Sequence, residues 1–128
     1  MAHLIDSHTH LTDQQFDSDR AEVVRTATDA GVSTLVTVAN DLEDSLRCRN
    51  LARTHPSIFA TAGVHPHHAD GWSEEESPGI LSDLAPDALA IGEIGLDYFY
   101  NFSDRYTQRK VFSEQIEFAK YCNKPMVI

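Results

Sequence analysis

Three short clusters hold the side chains best suited to chemistry. The first is Asp6-Ser-His8-Thr-His10. In an extended segment residues two apart point to the same side, so His8 and His10 can present two imidazoles to one cation. The second is Ala90-Ile-Gly92-Glu93-Ile-Gly95-Leu-Asp97-Tyr98. Here an apolar run delivers the carboxylate of Glu93 between two glycines, which let a ligand or a neighbouring backbone come close. A carboxylate so placed can bridge two cations, and Asp97 can bind a water or orient a ligand. The third is Gly63-Val-His65-Pro66-His67-His68, in which proline fixes the loop and the imidazoles can bond a phosphate or add ligands. Each cluster alone also has a plain reading. His-x-His pairs occur on surfaces, Glu93 reads as a solvated loop acid, Asp97 as a helix-proximal cap, and His67 and His68 as exposed loop histidines.

The elements that must position these clusters alternate. Leu4-Ile5-Asp6 is a short strand, and Asp17 or Ser18 caps a helix to about Ala30, with Val23, Val24, Ala27 and Ala30 on its apolar face and Gly31 as its stop. Thr34–Val38 is β-branched and reads as a buried strand. Asn40 or Asp41 caps a second helix through about Thr54, closed by His55-Pro56. Ile58–Ala62 is a third strand, and a weaker helix spans about Glu74 to Leu84, interrupted early by Pro78 and Gly79. Leu89–Gly92 is a fourth strand. Ser103 or Asp104 caps the longest helix, to about Cys122, with Phe112, Ile116 and Ala119 at helical spacing. Lys124-Pro125 breaks it, and Met126–Ile128 begins a fifth strand.

This pattern predicts an α/β fold of about five parallel strands alternating with four helices, joined by right-handed crossovers. An open doubly wound sheet and a closed (β/α)8 TIM-type barrel both satisfy it. No glycine-rich phosphate loop follows the first strand. A complete barrel needs roughly 250 residues, so 128 residues correspond to about half of one, its N-terminal half, in a single domain. All three clusters follow predicted strands and would open onto one end of a parallel sheet. The opposite turns, Gly31-Val-Ser33, Thr54-His-Pro56, Pro86-Asp87 and Asn123-Lys-Pro125, are plain punctuation. That convergence is the main argument for an active site.

Composition narrows the classes. A formal charge of −10, from twenty acids and ten bases, argues against broad electrostatic coating of nucleic acid. It leaves open an enzyme that grips one phosphodiester through cations, which reverse the local field. Apolar runs are too short for a membrane span, and the first residues do not form a secretory leader. The expected location is the cytoplasm, with Cys48 and Cys122 as free thiols.

The segments Asp6-Ser-His8-Thr-His10-Leu11, Gly63-Val-His65-Pro66-His67 and Ile91-Gly-Glu93-Ile-Gly-Leu-Asp97-Tyr98 resemble the TatD family of metal-dependent deoxyribonucleases, within the amidohydrolase-like barrels. The helix carrying Gln108, Phe112, Gln115, Ile116 and Ala119, running into Lys124-Pro125, is similar too, so the likeness spans the chain. It implies half of a (β/α)8 barrel and hydrolysis of phosphodiester bonds in DNA by two divalent cations, Mg, Mn or Zn. It also implies that His8 and His10 bind the first cation and that Glu93 bridges to the second. His65, with His67 beside it, would meet the substrate phosphate, and Asp97 would assist. A family member would add a histidine after the fifth strand, another after the sixth and an aspartate after the eighth. None of these lies within the 128 residues, which puts catalysis by this chain alone in question.

Two other readings compete. An amidohydrolase acting on a C–N bond would use the same histidine pair, but many such enzymes bridge with a lysine. Lys110, Lys120 and Lys124 are not at a comparable strand end, which favours phosphoester chemistry. A non-catalytic half-barrel with an interaction role is the third reading. Open sheet edges lead us to expect self-association, with a dimer as one form.

Overall fold

A computed structural model describes residues 3–128. Four strands form one sheet in the order β1-β2-β3-β4: β1 (Leu4–Thr9), β2 (Val32–Thr37), β3 (Ile58–Ala62) and β4 (Ala90–Ile91). All neighbours are parallel, and a helix follows each strand: α1 (Arg20–Asp29), α2 (Leu42–Thr54), α3 (Ser77–Leu84) and α4 (Arg105–Tyr121). Unbroken alternation with strands adjacent in chain order is half of a barrel wall.

Register between β1 and β2 shifts after Asp6, where Asp6 faces Leu35 and Thr9 faces Thr37, so β1 carries one extra residue beside His8. Bulges of this kind re-aim side chains near functional sites. The strand runs on through the first cluster as far as Thr9 rather than ending at Asp6.

Helix starts are decided by which carboxylate is free to cap. Asp17 is taken by Arg20 at 2.6 Å and Asp13 caps a 3-10 turn at Gln14–Phe16, so α1 begins later than the sequence suggests. Asp41 accepts from the amide of Asp44 at 2.7 Å and Asp104 from that of Thr107 at 3.0 Å, selecting these two over Asn40 and Ser103. In α3 Pro78 does not interrupt. It lies in the first turn, where its missing N–H costs nothing, and the helix starts at Ser77 instead of Glu74.

The fifth strand is reduced to a parallel bridge between Ile91 and Met126. It is supported by bonds from Ile91 N to the Pro125 carbonyl and from Val127 N to the Ile91 carbonyl, both 2.9 Å. Backbones here are unusually close. A Cβ on Gly92 would lie 2.6 Å from the Val127 carbonyl oxygen, and one on Gly63 would lie 2.9 Å from Gly92 N.

The core sits between sheet and helices. One cluster joins Ala62, Ile91 and Ile94 to Leu81, Leu84 and Ala119, and a second joins Leu35 and Ile58 to Leu11 and Val24. On β1, Leu4 and Ile5 are left 54% and 67% exposed. The stripe of α4 buried deepest is Gln108, Val111, Gln115 and Ala119, whereas Phe112 and Ile116 are only partly covered. Two glutamines in a buried stripe demand partners, and they find them in the loops that carry the site.

Candidate metal centre

Strand ends bring the first and second clusters together. His8 Nε2 lies 3.2 Å from Glu93 Oε2, and His10 Nε2 lies 4.0 Å from the same oxygen. Ligand atoms of all three residues fall within 4.8 Å of one another. Two donors on a tetrahedral cation with bonds near 2.1 Å are separated by about 3.4 Å. Small side-chain rotations therefore suffice for the trio to close on one ion, and its two nitrogens and carboxylate suit a borderline-to-hard divalent cation.

Main-chain partners orient the imidazoles. His10 Nδ1 donates to the Val38 carbonyl at 3.0 Å. A carbonyl can only accept, so the proton is on Nδ1 and the Nε2 lone pair faces Glu93, the arrangement usual for ligating histidines. His65 is arranged in the opposite way. Its Nδ1 accepts from the His67 amide at 3.0 Å, so in the neutral ring Nε2 carries the proton. That N–H faces Glu93 Oε1 at 3.7 Å. Burial pushes the His65 imidazole below its usual pKa despite the opposing pull of Glu93, so the ring is neutral around pH 7 and acts as a donor toward the mouth.

His67 and Asp97 form a separate pair, Nε2 to Oδ2. Oδ1 of Asp97 also accepts from the amides of Phe99 at 2.8 Å and Tyr100 at 3.2 Å. The bond from His67, then these amides, holds the Asp97 carboxyl below its ordinary value. The structure thus places Asp97 against His67, while Glu93 gathers His8, His10 and His65. His68 belongs to neither group.

Residues to which the sequence reading gave no role in the site hold these loops. Gln115 reproduces a strand partner for Val64, accepting its N–H at 2.7 Å and donating to its carbonyl at 3.0 Å. Gln108 does the same for Asp97 at 2.8 and 2.9 Å. The Thr61 hydroxyl accepts from Ala39 N at 3.0 Å and donates to the Gly92 carbonyl at 2.5 Å, while Glu93 N donates to the Ala39 carbonyl at 3.1 Å. The second and fourth strand ends are thereby locked in register at the carboxylate. Buried Asp44 accepts from the Thr12 hydroxyl at 2.6 Å and from Asn40 N at 2.9 Å, joining the segment after His10 to the loop before α2. A Gln at helical spacing with apolar residues is the one available sequence signal; Thr61 and Asp44 give none.

Known proteins resemble this chain in sequence and in fold. The chain is 39% identical over 124 residues to the 3'-5' ssDNA/RNA exonuclease TatD of Escherichia coli (strain K12), covering 96% of this chain and 48% of that protein. The same figures hold for the exonuclease of that name from Shigella flexneri serotype 5b (strain 8401). The chain spans about half the length of these curated relatives. Among solved structures, YJJV, a TatD homolog from Escherichia coli K12, superposes with a TM-score of 0.87 at 28% identity, covering 96% of this chain and 49% of that one. A hydrolase TatD family protein from Entamoeba histolytica gives 0.84 at 25% identity, covering 94% and 47%. The half-barrel seen here is the fold of one half of those chains. The family model described as TatD related DNase matches residues 5–128, and this chain belongs to that family.

Proposed function

We propose that this chain carries part of a metal-dependent phosphodiesterase site acting on DNA, with His8, His10 and Glu93 as cation ligands. The observation that carries the reading is the convergence of these three side chains from the first and fourth strands within 4.8 Å. A divalent cation held there, Mg, Mn or Zn, supplies a Lewis acid toward a phosphoryl oxygen and acidifies water. Glu93, with Oε2 toward His8 and His10 and Oε1 toward His65, would also be the residue to hold a second cation. His65 donates its Nε2–H to a phosphate oxygen, and the Asp97–His67 pair holds the third-strand loop beside it. The further ligands of the resemblance lie outside these 128 residues, so full turnover is proposed for a site completed by them.

Phosphoester rather than C–N chemistry is supported by the acid at this position, where many amidohydrolases use lysine. Unpaired Cys48 and Cys122 accord with a reducing cytoplasm. The exposed side chains of Leu4 and Ile5 on β1 support self-association; a stable monomer by light scattering at micromolar concentration refutes that part.

Calorimetric titration with Mn²⁺ tests the site directly, because it reads ligands rather than turnover. Wild type is expected to bind, and Glu93→Gln and His10→Ala to weaken binding at least about tenfold. In the completed site, cleavage of single-stranded DNA is expected to vanish with a chelator and in Glu93→Gln. Undiminished Mn²⁺ affinity in Glu93→Gln overturns the reading.

A further inference from the structure

The loop after Glu93 leaves aromatic rings in solvent. Phe99, Tyr100 and Phe102 are 85%, 60% and 64% exposed, although exposing a large ring is costly. Two of them are ordered against each other: Tyr100 and Phe102 stack with planes 11° apart and centroids at 5.2 Å. Both also meet the edge of His67, at 5.7 and 4.8 Å, and His67 is fixed by Asp97. His67 in turn packs on His65 at 4.3 Å, whose Nε2 faces Glu93. A continuous set of ring contacts therefore runs from the carboxylate of the metal centre to an exposed stacked pair.

Charge points the same way. In a chain of net charge −10 most basic side chains are neutralised locally, including Arg20 by Asp17, Arg25 by Glu22, Arg53 by Asp87 and Lys110 by Glu74. Arg105, the first residue of α4, is not among them. Its guanidinium lies 4.7 Å from the Tyr98 ring centroid, and it donates to Asn101 Oδ1 at 3.0 Å. Among the described residues no carboxylate pairs with it. A cation free of acids beside flat, exposed rings matches a nucleotide, whose base stacks and whose phosphate needs a positive partner.

We infer that Tyr100 and Phe102, with His67 behind them and Arg105 beside them, form a stacking platform for an unpaired base next to the phosphate handled at Glu93. This rests on the phosphodiesterase reading and adds residues rather than a substrate class: the relatives are named as ssDNA/RNA exonucleases, and here the unpaired base would be read by ring faces, hence with tolerance of its identity. A duplex keeps its bases stacked internally and cannot occupy the platform without being opened. In so acidic a protein, stacking supplies affinity that a basic groove supplies elsewhere.

The test measures binding of a short fluorescent single-stranded DNA in EDTA, where neither cation binding nor cleavage contributes. Wild type is expected to prefer a normal oligonucleotide to one with abasic sites, and the double variant Tyr100→Ala/Phe102→Ala to bind the normal one roughly 5- to 100-fold more weakly, as losing a stacked base implies. Tyr100→Phe keeps the ring and is expected to match wild type, and Arg105→Gln to flatten the salt dependence. Equal wild-type affinity for normal and abasic strands overturns the inference, as does absence of binding or an unaltered double variant. A double variant that alters oligomeric state but not DNA affinity also overturns it, assigning the rings to protein packing. Because Mn²⁺ binding is scored separately, failure of the platform and failure of the metal site are distinguishable.

Discussion

Asp44 is a side chain of α2 that no chemical step requires and that the site geometry depends on, and its removal has a calculable cost. Its carboxylate is 3% exposed and accepts from the Thr12 hydroxyl at 2.6 Å and Asn40 N at 2.9 Å, with Arg47 at 3.3 Å. Arg47 is about half exposed and is expected to add little. The other two bonds are to a charged acceptor out of water, each contributing roughly 1.5–3 kcal/mol. Asp44→Ala should therefore destabilise the fold by about 3–5 kcal/mol. Asp44→Asn keeps the shape. Its amide oxygen can still accept from Asn40 N while its NH2 donates to the Thr12 hydroxyl, which reverses its role, so about half that loss is expected. Urea unfolding followed by circular dichroism, with the slope of the transition unchanged, measures both. An alanine variant within about 0.5 kcal/mol of wild type, or an asparagine variant as damaged as the alanine one, refutes the claim that satisfied donors set this energy.

Two further outcomes follow from contacts described above. Gly92→Ala puts a methyl group 2.6 Å from the Val127 carbonyl oxygen at a backbone φ of +156°, so the variant should melt well below wild type, and a melting temperature within 2 °C or so would refute the close packing. Asp97 is expected to titrate below 3.8 in carbon-detected NMR and to move upward in His67→Ala. Because its folded pKa is depressed, the stability it lends is present above the unfolded value and disappears as pH falls through the folded one, so the loop should loosen only in acid. An Asp97 midpoint at or above 3.8, or one indifferent to His67, would contradict this.

Much of the scaffold was legible in local chemistry. The segment Ile58–Ala62 is a strand with the expected bounds, and α2 ends at Thr54 as His55-Pro56 requires. Parallel order followed from alternation alone, and that order is what aligned His8, His10, His65 and Glu93 at one rim. The rest was settled by tertiary competition. Where α1 starts depended on Arg20 claiming Asp17, and the fifth strand contracted to one bridge at Met126 because pairing, not propensity, defines a strand. Periodicity placed Phe112 and Ile116 in the core of α4, whereas the deepest positions went to Gln108 and Gln115, which serve loops distant in sequence. The separation of His67 toward Asp97 and of His65 toward Glu93 was equally invisible, since neighbouring imidazoles read alike until their ring nitrogens find partners.

Two of the three imidazoles that face Glu93 take their proton placement from peptide groups, the Val38 carbonyl for His10 and the His67 amide for His65. A carboxylate or hydroxyl in that role could be erased by one codon change; a peptide group cannot. Drift at positions 38 and 67 can therefore alter bulk and polarity while leaving untouched which nitrogen is bare and which is protonated. Weakening that bond takes an edit of the main chain itself, for instance an ester linkage after residue 38, which makes its carbonyl a poorer acceptor and also removes the Ala39 N–H that donates to Thr61.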